Sequence, residues 1–338
     1  MLFNPVLTQK LEQIGISKFL DVDDVVEIAI NQPLEILVLK SSTNTWEIVE
    51  APNATTENLQ YLGQLISNIN GLKLDRENPI MSAQLQTGER VQFCMPPATF
   101  EYISLNIRRY TNNVKTLEEL NEQGTFNNFE WLKYADYKNS NLSTLNKIDK
   151  QLLQYLQDKN IIDFFKLAVI SNKNISIAGA TASGKTFFTK ALINQIPTHE
   201  RIITIEDVHE LFLTLHPNKV HFIFGGNRNY LTAKHALASC MRAKPDRIIL
   251  AEIRGDEASD YIESLNTGHS GGITSVHAND AISSYRRIAK LVKKTDDNAN
   301  RDLTEIINEV FNTIHISVFF KNRQLTQIFF DPIYSQES

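Results

Sequence analysis

Eight consecutive residues of this chain have the types and spacing of a phosphate-binding loop. They are Gly179, Ala180, Thr181, Ala182, Ser183, Gly184, Lys185 and Thr186. In such a loop, glycines let successive backbone N–H groups approach phosphate oxygens, and the following helix N-terminus adds positive potential. Lys185 reaches the β- and γ-phosphates, and the Thr186 hydroxyl holds Mg²⁺. Together with the adjoining Phe187, the segment predicts a binding site for ATP and Mg²⁺.

Charged residues also follow the other predicted strands, at the point where each strand ends. Glu206 and Asp207 follow one strand, and Glu252 and His277 end two later ones. Because ligands of open α/β sheets bind beyond the carboxyl ends of the strands, we expect these side chains to face one crevice with the phosphate loop. A carboxylate beside the loop can hold Mg²⁺ directly or through water, and a second can orient or deprotonate the attacking water.

The residues of this crevice divide by role. Those predicted to hold Mg²⁺, directly or through water, are Thr186, Glu206 and Glu252. Those predicted to take part in catalysis are Lys185, Glu206, Glu252 and His277, while Asp207 and His269 are predicted to help bind nucleotide. A plainer interpretation treats Glu206 and Asp207 as caps of a following helix, Asp246 as a turn residue and the histidines as packing residues. Proximity to the phosphate site favours a histidine that hydrogen-bonds the γ-phosphate or relays its presence.

Hydrophobic periodicity predicts the elements that position these residues. A buried strand precedes the loop and a helix beginning near Phe187 follows it, which is the order that a phosphate-binding loop requires. From residue 152 onward strands alternate with helices, so we predict an α/β domain with a mostly parallel sheet covered on both faces and a closing hairpin. The first 110 residues show a mixed pattern typical of a smaller α+β module.

We place the domain boundary near residue 112. Residues 1–112 form the predicted N-terminal domain and residues 113–338 the nucleotide-binding domain, of which the polar stretch 113–150 is interpreted as a linker. A chain of 338 residues is long enough for two such domains.

Composition narrows the classes of function. The net charge is −5 with no long block of Lys or Arg, so we expect no constitutive binding to nucleic acid. The chain contains no run of about 18 or more apolar residues and begins without the pattern of a signal peptide, which predicts a cytoplasmic protein. The two cysteines, Cys94 and Cys240, lack the spacing of metal ligands, and we expect no zinc module.

Three other functions fit parts of the pattern. The sequence Asn146-Lys147-Ile148-Asp149 matches a guanine-reading motif, but no Asp-x-x-Gly segment follows the phosphate loop, which disfavours a GTPase. A RecA-like motor acting directly on nucleic acid would need a basic track or stacking aromatic residues. A scaffold that binds ATP without hydrolysing it is disfavoured because the charged residues of the crevice are all present.

Four segments together resemble the secretion or traffic ATPases of the type II and type IV secretion superfamily. They are the phosphate loop at 179–186, the segment Thr204-Ile205-Glu206-Asp207, the Walker B segment 248–255, and a histidine segment with Gly268-His269 and Val276-His277-Ala278-Asn279. The segment 241–247 and the compact N-terminal module are most similar to the type IV secretion branch. Ala182 stands where that family usually has glycine, a substitution that other phosphate-binding loops accept.

This resemblance implies a RecA-like P-loop NTPase domain preceded by a PAS-like α+β domain, with nucleotide between the two. It also implies a homohexameric ring, peripheral at the cytoplasmic face of the inner membrane, that works with inner-membrane components of type IV secretion, conjugation or pilus assembly. Arg90, Arg108 and Arg109 lie in segments through which the family's N-terminal domain approaches the nucleotide. Because a guanidinium offers several donors to a phosphate, we predict that these arginines bind nucleotide or stabilise charge developing on the γ-phosphoryl group.

Overall fold

The computed structural model describes most of the chain. The described ranges are residues 4–40, 42–43, 45–109, 114–135, 142–181, 183–225 and 231–334. The chain forms two compact units, the first made by residues 1–112 and the second by most of the remainder. The predicted boundary falls among residues 110–113, outside the described ranges, and therefore stays a prediction.

The N-terminal unit contains an antiparallel sheet and three helices among its described residues. The strands are β1 (Val25–Ile30), β2 (Glu35–Lys40), β3 (Trp46–Glu50), β4 (Ile80–Gln84), β5 (Arg90–Cys94) and β6 (Ser104–Arg108), in the order β3-β2-β1-β6-β5-β4. The helices are α1 (Pro5–Ile14), α2 (Ser17–Leu20) and α3 (Thr56–Ile69). Burial alternates along β5 and β6, as expected for a sheet with a core on one face.

The second unit contains a larger, mainly parallel sheet. Its strands are β7 (Glu130–Leu132), β8 (Ile175–Gly179), β9 (Ile202–Glu206), β10 (Lys219–Ile223), β11 (Arg247–Ile253), β12 (Ile273–Val276), β13 (Ile316–Lys321) and β14 (Gln324–Phe329). Their order is β10-β9-β11-β12-β8-β13-β14-β7, and the hairpin β13–β14 is antiparallel. The helices are α4 (Leu117–Glu122), α5 (Lys147–Gln157), α6 (Ile161–Ile170), α7 (Lys185–Ile193), α8 (Ala233–Met241), α9 (Glu257–Asn266), α10 (Ala281–Lys293) and α11 (Leu303–Thr313).

The central strands of this sheet are buried on both faces. Along β11, Ile248 and Leu250 belong to one apolar cluster and Ile249 to another. Since successive side chains of a strand point to opposite faces, the two clusters are the two faces of the sheet. Strands buried in this way read as continuous apolar runs, which is why the sequence predicted a parallel sheet correctly.

Within the polar stretch 113–150, the described residues 114–135 and 142–150 contribute helices and a strand to the folded unit, which corrects the interpretation of the stretch as a loosely packed linker. Helix α4 begins with a capping box formed by Thr116 and Glu119, and its Leu117 and Leu120 are buried in the core. Strand β7 pairs in parallel with β14 and extends the sheet. The segment looks like a linker because its few apolar residues are separated by polar ones and its strand is only three residues long.

None of the helices in the described ranges is both long enough and apolar enough to span a membrane.

Candidate nucleotide site

The phosphate loop connects β8 to α7 through two glycines with positive φ. Gly179 has φ 152° and Gly184 has φ 104°, values that residues with a Cβ atom rarely adopt. A Cβ atom on Gly179 would lie 2.6 Å from both the Phe320 carbonyl oxygen and the Ser183 Oγ atom. Glycine is therefore required here for conformation and for space. The conformation of Ala182 lies outside the described residues.

Lys185 points its ammonium group into the loop. Its Nζ atom donates hydrogen bonds to the carbonyl oxygens of Gly179 at 2.7 Å and Ala180 at 2.8 Å, and the side chain is buried. The buried hydroxyl oxygen of Ser183 has no hydrogen-bond partner among the described residues. A fixed cation, an unpaired hydroxyl and the first turn of α7 thus lie together, which fits the binding of a phosphate chain.

A cleft of about 540 Å³ opens beside the loop. Its lining comes from the loop, from residues 277–279 after β12, and from residues 319–322 of the closing hairpin. The backbone N–H of Arg323 donates to the Ser183 carbonyl oxygen at 3.0 Å, so the hairpin turn is fixed to the loop. The volume lies in the range of small-ligand and cofactor sites. The contribution of Lys321 and Asn322 was missed at the level of sequence, because it depends on β13 pairing with β8.

The structure corrects one detail of the predicted crevice. Strand β12, and not the Glu252-bearing β11, lies beside β8. Two strand spacings, about 9–10 Å, therefore separate the loop strand from β11. Glu252 lies beside His277, whose Nε2 atom is 3.1 Å from the Glu252 Oε1 atom, and His277 lines the cleft.

Arg254 links two of the predicted acids. Its guanidinium donates to Glu252 Oε2 and to Asp207 Oδ2, each at 2.7 Å. The hydrogen bond to Glu252 is the main reason that the pKa of Arg254 is raised above its usual value, with Asp207 adding to it. Arg254 was not predicted as a site residue, although its position two residues after Glu252 places both on the same side of an extended segment.

Glu206 is completely buried, and its hydrogen-bond partners lie on β9, on β10 and in the loop after β9. Oε2 accepts from the backbone N–H groups of Glu210 at 2.8 Å and Leu211 at 2.7 Å. Burial alone would raise the pKa of Glu206, but hydrogen bonds from His209, His221, Thr204 and Leu211 outweigh it and lower the pKa. Three strand spacings, about 14 Å, separate β9 from β8. The arrangement favours Glu252 over Glu206 as the residue that acts on water.

His269 lies at the amino ends of the strands, whereas the cleft lies at their carboxyl ends. Its Nδ1 atom is 3.2 Å from the Pro245 carbonyl oxygen, next to the starts of β11 and β12. The expectation that His269 lies beside the phosphate loop is therefore corrected within this chain. His269 and His277 are close in sequence, but β12 runs between them and places them at opposite ends of the strand.

The apparent guanine-reading motif is the start of a helix. Asn146 caps α5 by accepting a hydrogen bond from the Asp149 N–H at 2.9 Å, and the Asp149 carboxylate forms an ion pair with Lys173 at 2.5 Å. Both side chains serve the fold, which removes the support for a GTPase. Asp246 accepts from the Arg201 N–H at 2.7 Å, as predicted for a turn residue.

The three arginines of the N-terminal unit differ in their surroundings. Arg90 and Arg108 are direct cross-strand partners on β5 and β6, and Arg108 is exposed. Arg109 donates to the carbonyl oxygens of Val22 and, at 3.2 Å, Val25. Among the described residues of this unit, Arg109 thus bonds to neighbouring backbone, and no such bond is seen for the Arg108 side chain. A role for any of them at the nucleotide stays a prediction.

Comparison with known proteins identifies the family. The family model described as Type II/IV secretion system protein matches residues 138–317, which include the phosphate loop, Glu252 and His277. The chain belongs to this family. The Type IV secretion system protein VirB11 of Bartonella quintana (strain Toulouse) is 36% identical over 338 residues, covering 97% of this chain and 93% of that protein.

Solved structures of similar proteins agree with the fold. The VirB11 ATPase from the Brucella suis type IV secretion system, solved in complex with sulphate, aligns with a TM-score of 0.55 and 31% identity, covering 98% of this chain and 99% of that one. The pilus retraction motor PilT with bound ADP aligns with a TM-score of 0.57 and 18% identity, covering 94% and 78%. The predicted RecA-like α/β domain with a smaller N-terminal α+β domain is confirmed.

Proposed function

We propose that this chain is the ATPase of a type IV secretion machine and couples ATP hydrolysis to the transport of macromolecules. The phosphate loop carries the proposal, because its glycines, buried Lys185 and unpaired Ser183 hydroxyl form a cradle for a phosphate chain beside a cleft of suitable size. Relatives named as type IV secretion proteins, matched over nearly the whole chain, support the coupling to secretion.

The binding step exchanges hydrogen bonds at Lys185. Its ammonium group, now held by the Gly179 and Ala180 carbonyls, moves onto the β- and γ-phosphates, while backbone N–H groups of the loop and of α7 surround the same oxygens. The Thr186 hydroxyl, in the first turn of α7, would hold Mg²⁺ together with Glu252 acting through water. When bound, Mg²⁺ neutralises charge on the β- and γ-phosphates.

Glu252 is the proposed base that orients the attacking water. His277 contacts Glu252 and lines the cleft, so it senses a γ-phosphate and the carboxylate together. Arg254 holds the other carboxylate oxygen and thereby fixes the direction of the Glu252 side chain. Arg254 also ties that carboxylate to Asp207, so the ends of β9, β11 and β12 act as one unit.

We further propose a homohexamer at the cytoplasmic face of the inner membrane, bound peripherally to inner-membrane components of the secretion system. Relatives of similar length named as type IV secretion system proteins support a place in such a system, and the ring follows from the family resemblance. The alternative, a motor acting directly on nucleic acid, has no support from the family comparison, and the net charge of −5 opposes it.

Two measurements on the full chain test the proposal. We expect Mg²⁺-dependent release of phosphate from ATP, and native mass spectrometry with ATP is expected to show six chains per particle. Absence of ATP turnover under these conditions contradicts the enzymatic assignment. A chain that turns over ATP but stays monomeric at micromolar concentration contradicts only the ring.

A further inference from the structure

Two histidines and a glutamate converge outside the proposed nucleotide site. Glu206 ends β9, His209 follows it in the next loop, and His221 lies on the neighbouring strand β10. One potential ligand atom from each lies within 4.8 Å of the others. None of the three lines the cleft beside the phosphate loop. The catalytic arrangement proposed above leaves this cluster without a role.

The distances in the cluster match the edges of a tetrahedral metal site. Glu206 Oε1 is 3.2 Å from His209 Nδ1 and 3.4 Å from His221 Nδ1. Ligand atoms at about 2.0–2.2 Å from a tetrahedral zinc ion are about 3.3–3.6 Å apart. The two distances from Glu206 therefore match the separations that a bound ion would impose, and the third pair of ligand atoms lies within 4.8 Å.

The surroundings hold these ligands in place. Two backbone N–H groups fix Glu206 Oε2, which leaves Oε1 directed at the histidines. The Thr204 hydroxyl lies 2.7 Å from Glu206 Oε1 and 2.7 Å from His221 Nδ1, and the Phe212 ring packs on His209 with centroids 4.1 Å apart. The ring contact limits rotation of the His209 side chain, and the hydroxyl holds the Glu206 and His221 ligand atoms close together.

Charge and access also favour a cation. Glu206 is fully buried, whereas the side chains of His209 and His221 are 30% and 20% exposed, which provides an entry path. The charged groups around the cluster include Lys190 and Glu210, both of which interact electrostatically with their neighbours in this region. With Glu206, these groups carry one positive and two negative charges, a net charge of −1.

We propose that Glu206, His209 and His221 form a binding site for a zinc-class transition-metal ion, with a fourth position open to water. Imidazole and carboxylate ligands suit Zn²⁺, whereas Mg²⁺ prefers oxygen ligands. The bound ion would crosslink β9, β10 and the loop after Glu206. Asp207, the partner of Arg254, lies in that loop, so the ion would stiffen the backbone next to the carboxylates of the cleft.

Zinc titration of the full-length, tag-free chain, stripped of metal with a chelator and without nucleotide, tests the site. Isothermal calorimetry is expected to show one Zn²⁺ per chain with micromolar or tighter affinity, which excess Mg²⁺ leaves unchanged. His209→Ala and His221→Ala should each weaken binding by about 100-fold or more. His199→Ala, which changes an exposed histidine elsewhere in the same unit, is the matched control and should leave binding unchanged.

Two further readouts locate the ion. Co²⁺ bound to the wild-type chain should show the visible absorption of a tetrahedral complex, and zinc should slow amide hydrogen exchange at residues 207–213. Both effects should disappear in the double variant His209→Ala/His221→Ala. Absence of stoichiometric zinc binding overturns the proposal, as does equal binding by the wild type and the double variant. Neither outcome bears on ATP hydrolysis, since no nucleotide is present.

Discussion

At the scale of single residues, Lys185 is the cation on which nucleotide binding depends. We expect Lys185→Ala to lower ATP turnover by about 100-fold or more, because the variant loses the charge that faces the β- and γ-phosphates. Lys290→Ala removes an exposed lysine of α10 and serves as the matched control. Steady-state phosphate release measures both. A Lys185→Ala variant that keeps more than about a tenth of the wild-type rate contradicts the assignment of the loop.

Glu252 allows binding and chemistry to be separated. Glu252→Gln keeps the shape of the side chain but removes its ability to take a proton from water, so we expect ATP to bind with nearly unchanged affinity and turnover to fall by about 10²- to 10⁴-fold. Nucleotide titration and single-turnover kinetics measure the two effects. Glu263→Gln, on the exposed side of α9, is the control. Normal hydrolysis by Glu252→Gln would transfer the role of base to Glu206 or Asp207.

The residues of the cleft were predictable from sequence to different extents. The phosphate loop is a local motif, so its eight residues specify the site without knowledge of the fold. Glu252 and His277 were found because each ends a clearly apolar strand. His209 and His221 were missed, since their proximity to Glu206 depends on the pairing of β9 with β10, and β10 is too weakly patterned to be recognised.

At the scale of elements, the hairpin β13–β14 contains a strained turn next to the phosphate loop. Asn322 and Arg323 have φ values of 51° and 63°. Two-residue hairpin turns with positive φ at both positions favour Asn followed by Gly. We expect Arg323→Gly to raise the free energy of unfolding by about 0.5–1 kcal/mol, because arginine is disfavoured in this conformation.

Chemical denaturation at neutral pH measures the effect of Arg323→Gly, with Asn322→Gly as the matched control. The control should change stability less, since asparagine tolerates positive φ. A destabilised Arg323→Gly variant would show that packing of the arginine side chain outweighs the strain of its backbone.

His315 makes the start of β13 sensitive to acid. Its Nδ1 atom accepts a hydrogen bond from the Asn174 N–H at 2.9 Å. Burial lowers the pKa of His315 to about 4, and the positive charge of Lys173 adds to this effect. The negative charge of Asp149 opposes it and raises the pKa. The unfolded chain therefore takes up this proton first as the pH falls. Stability from the neutral His315 is complete above about pH 6.5 and is lost as the pH falls toward 4.

Between pH 7 and pH 4, we expect the free energy of unfolding to fall less in His315→Gln than in the wild type. The two decreases should differ by up to about 3 kcal/mol. Urea denaturation monitored through Trp131 reports on this unit when Trp46, in the N-terminal unit, is replaced by Phe in both proteins. Parallel stability curves for the two proteins across this pH range contradict the role of His315.

Elements with a clear pattern of apolar residues were predicted well, and elements whose place depends on distant partners were not. The buried strands β8 and β11 stand out in the sequence because apolar runs of this length are typical of central parallel strands. Strand β7 cannot be recognised alone, since its place in the sheet is set by β14, almost two hundred residues later. Helix α4 was hidden in a polar stretch that a composition argument assigns to a linker.

At the scale of the whole molecule, three arginines of the N-terminal unit allow the contribution of that unit to catalysis to be tested. We expect Arg108→Ala to lower ATP turnover of the full chain without lowering its thermal stability, because Arg108 is exposed. Arg109→Ala should lower stability, since it removes hydrogen bonds to the Val22 and Val25 carbonyls. Turnover and melting temperature are measured on both variants. If neither Arg90→Ala nor Arg108→Ala changes turnover, the N-terminal unit is better interpreted as a docking platform for partners.

The order of strands in the larger sheet bears on how the protein is synthesised. Strand β8, which carries the phosphate loop, lies between β12 and β13, and the turn after β13 is bonded to the loop itself. A ribosome delivers β13 and β14 about 140 residues after β8. The N-terminal sheet is made of strands that are all complete by residue 108, so it can fold early. The nucleotide-binding sheet must wait for its last hairpin with apolar strands exposed, and this interval is when the nascent chain most needs protection from aggregation.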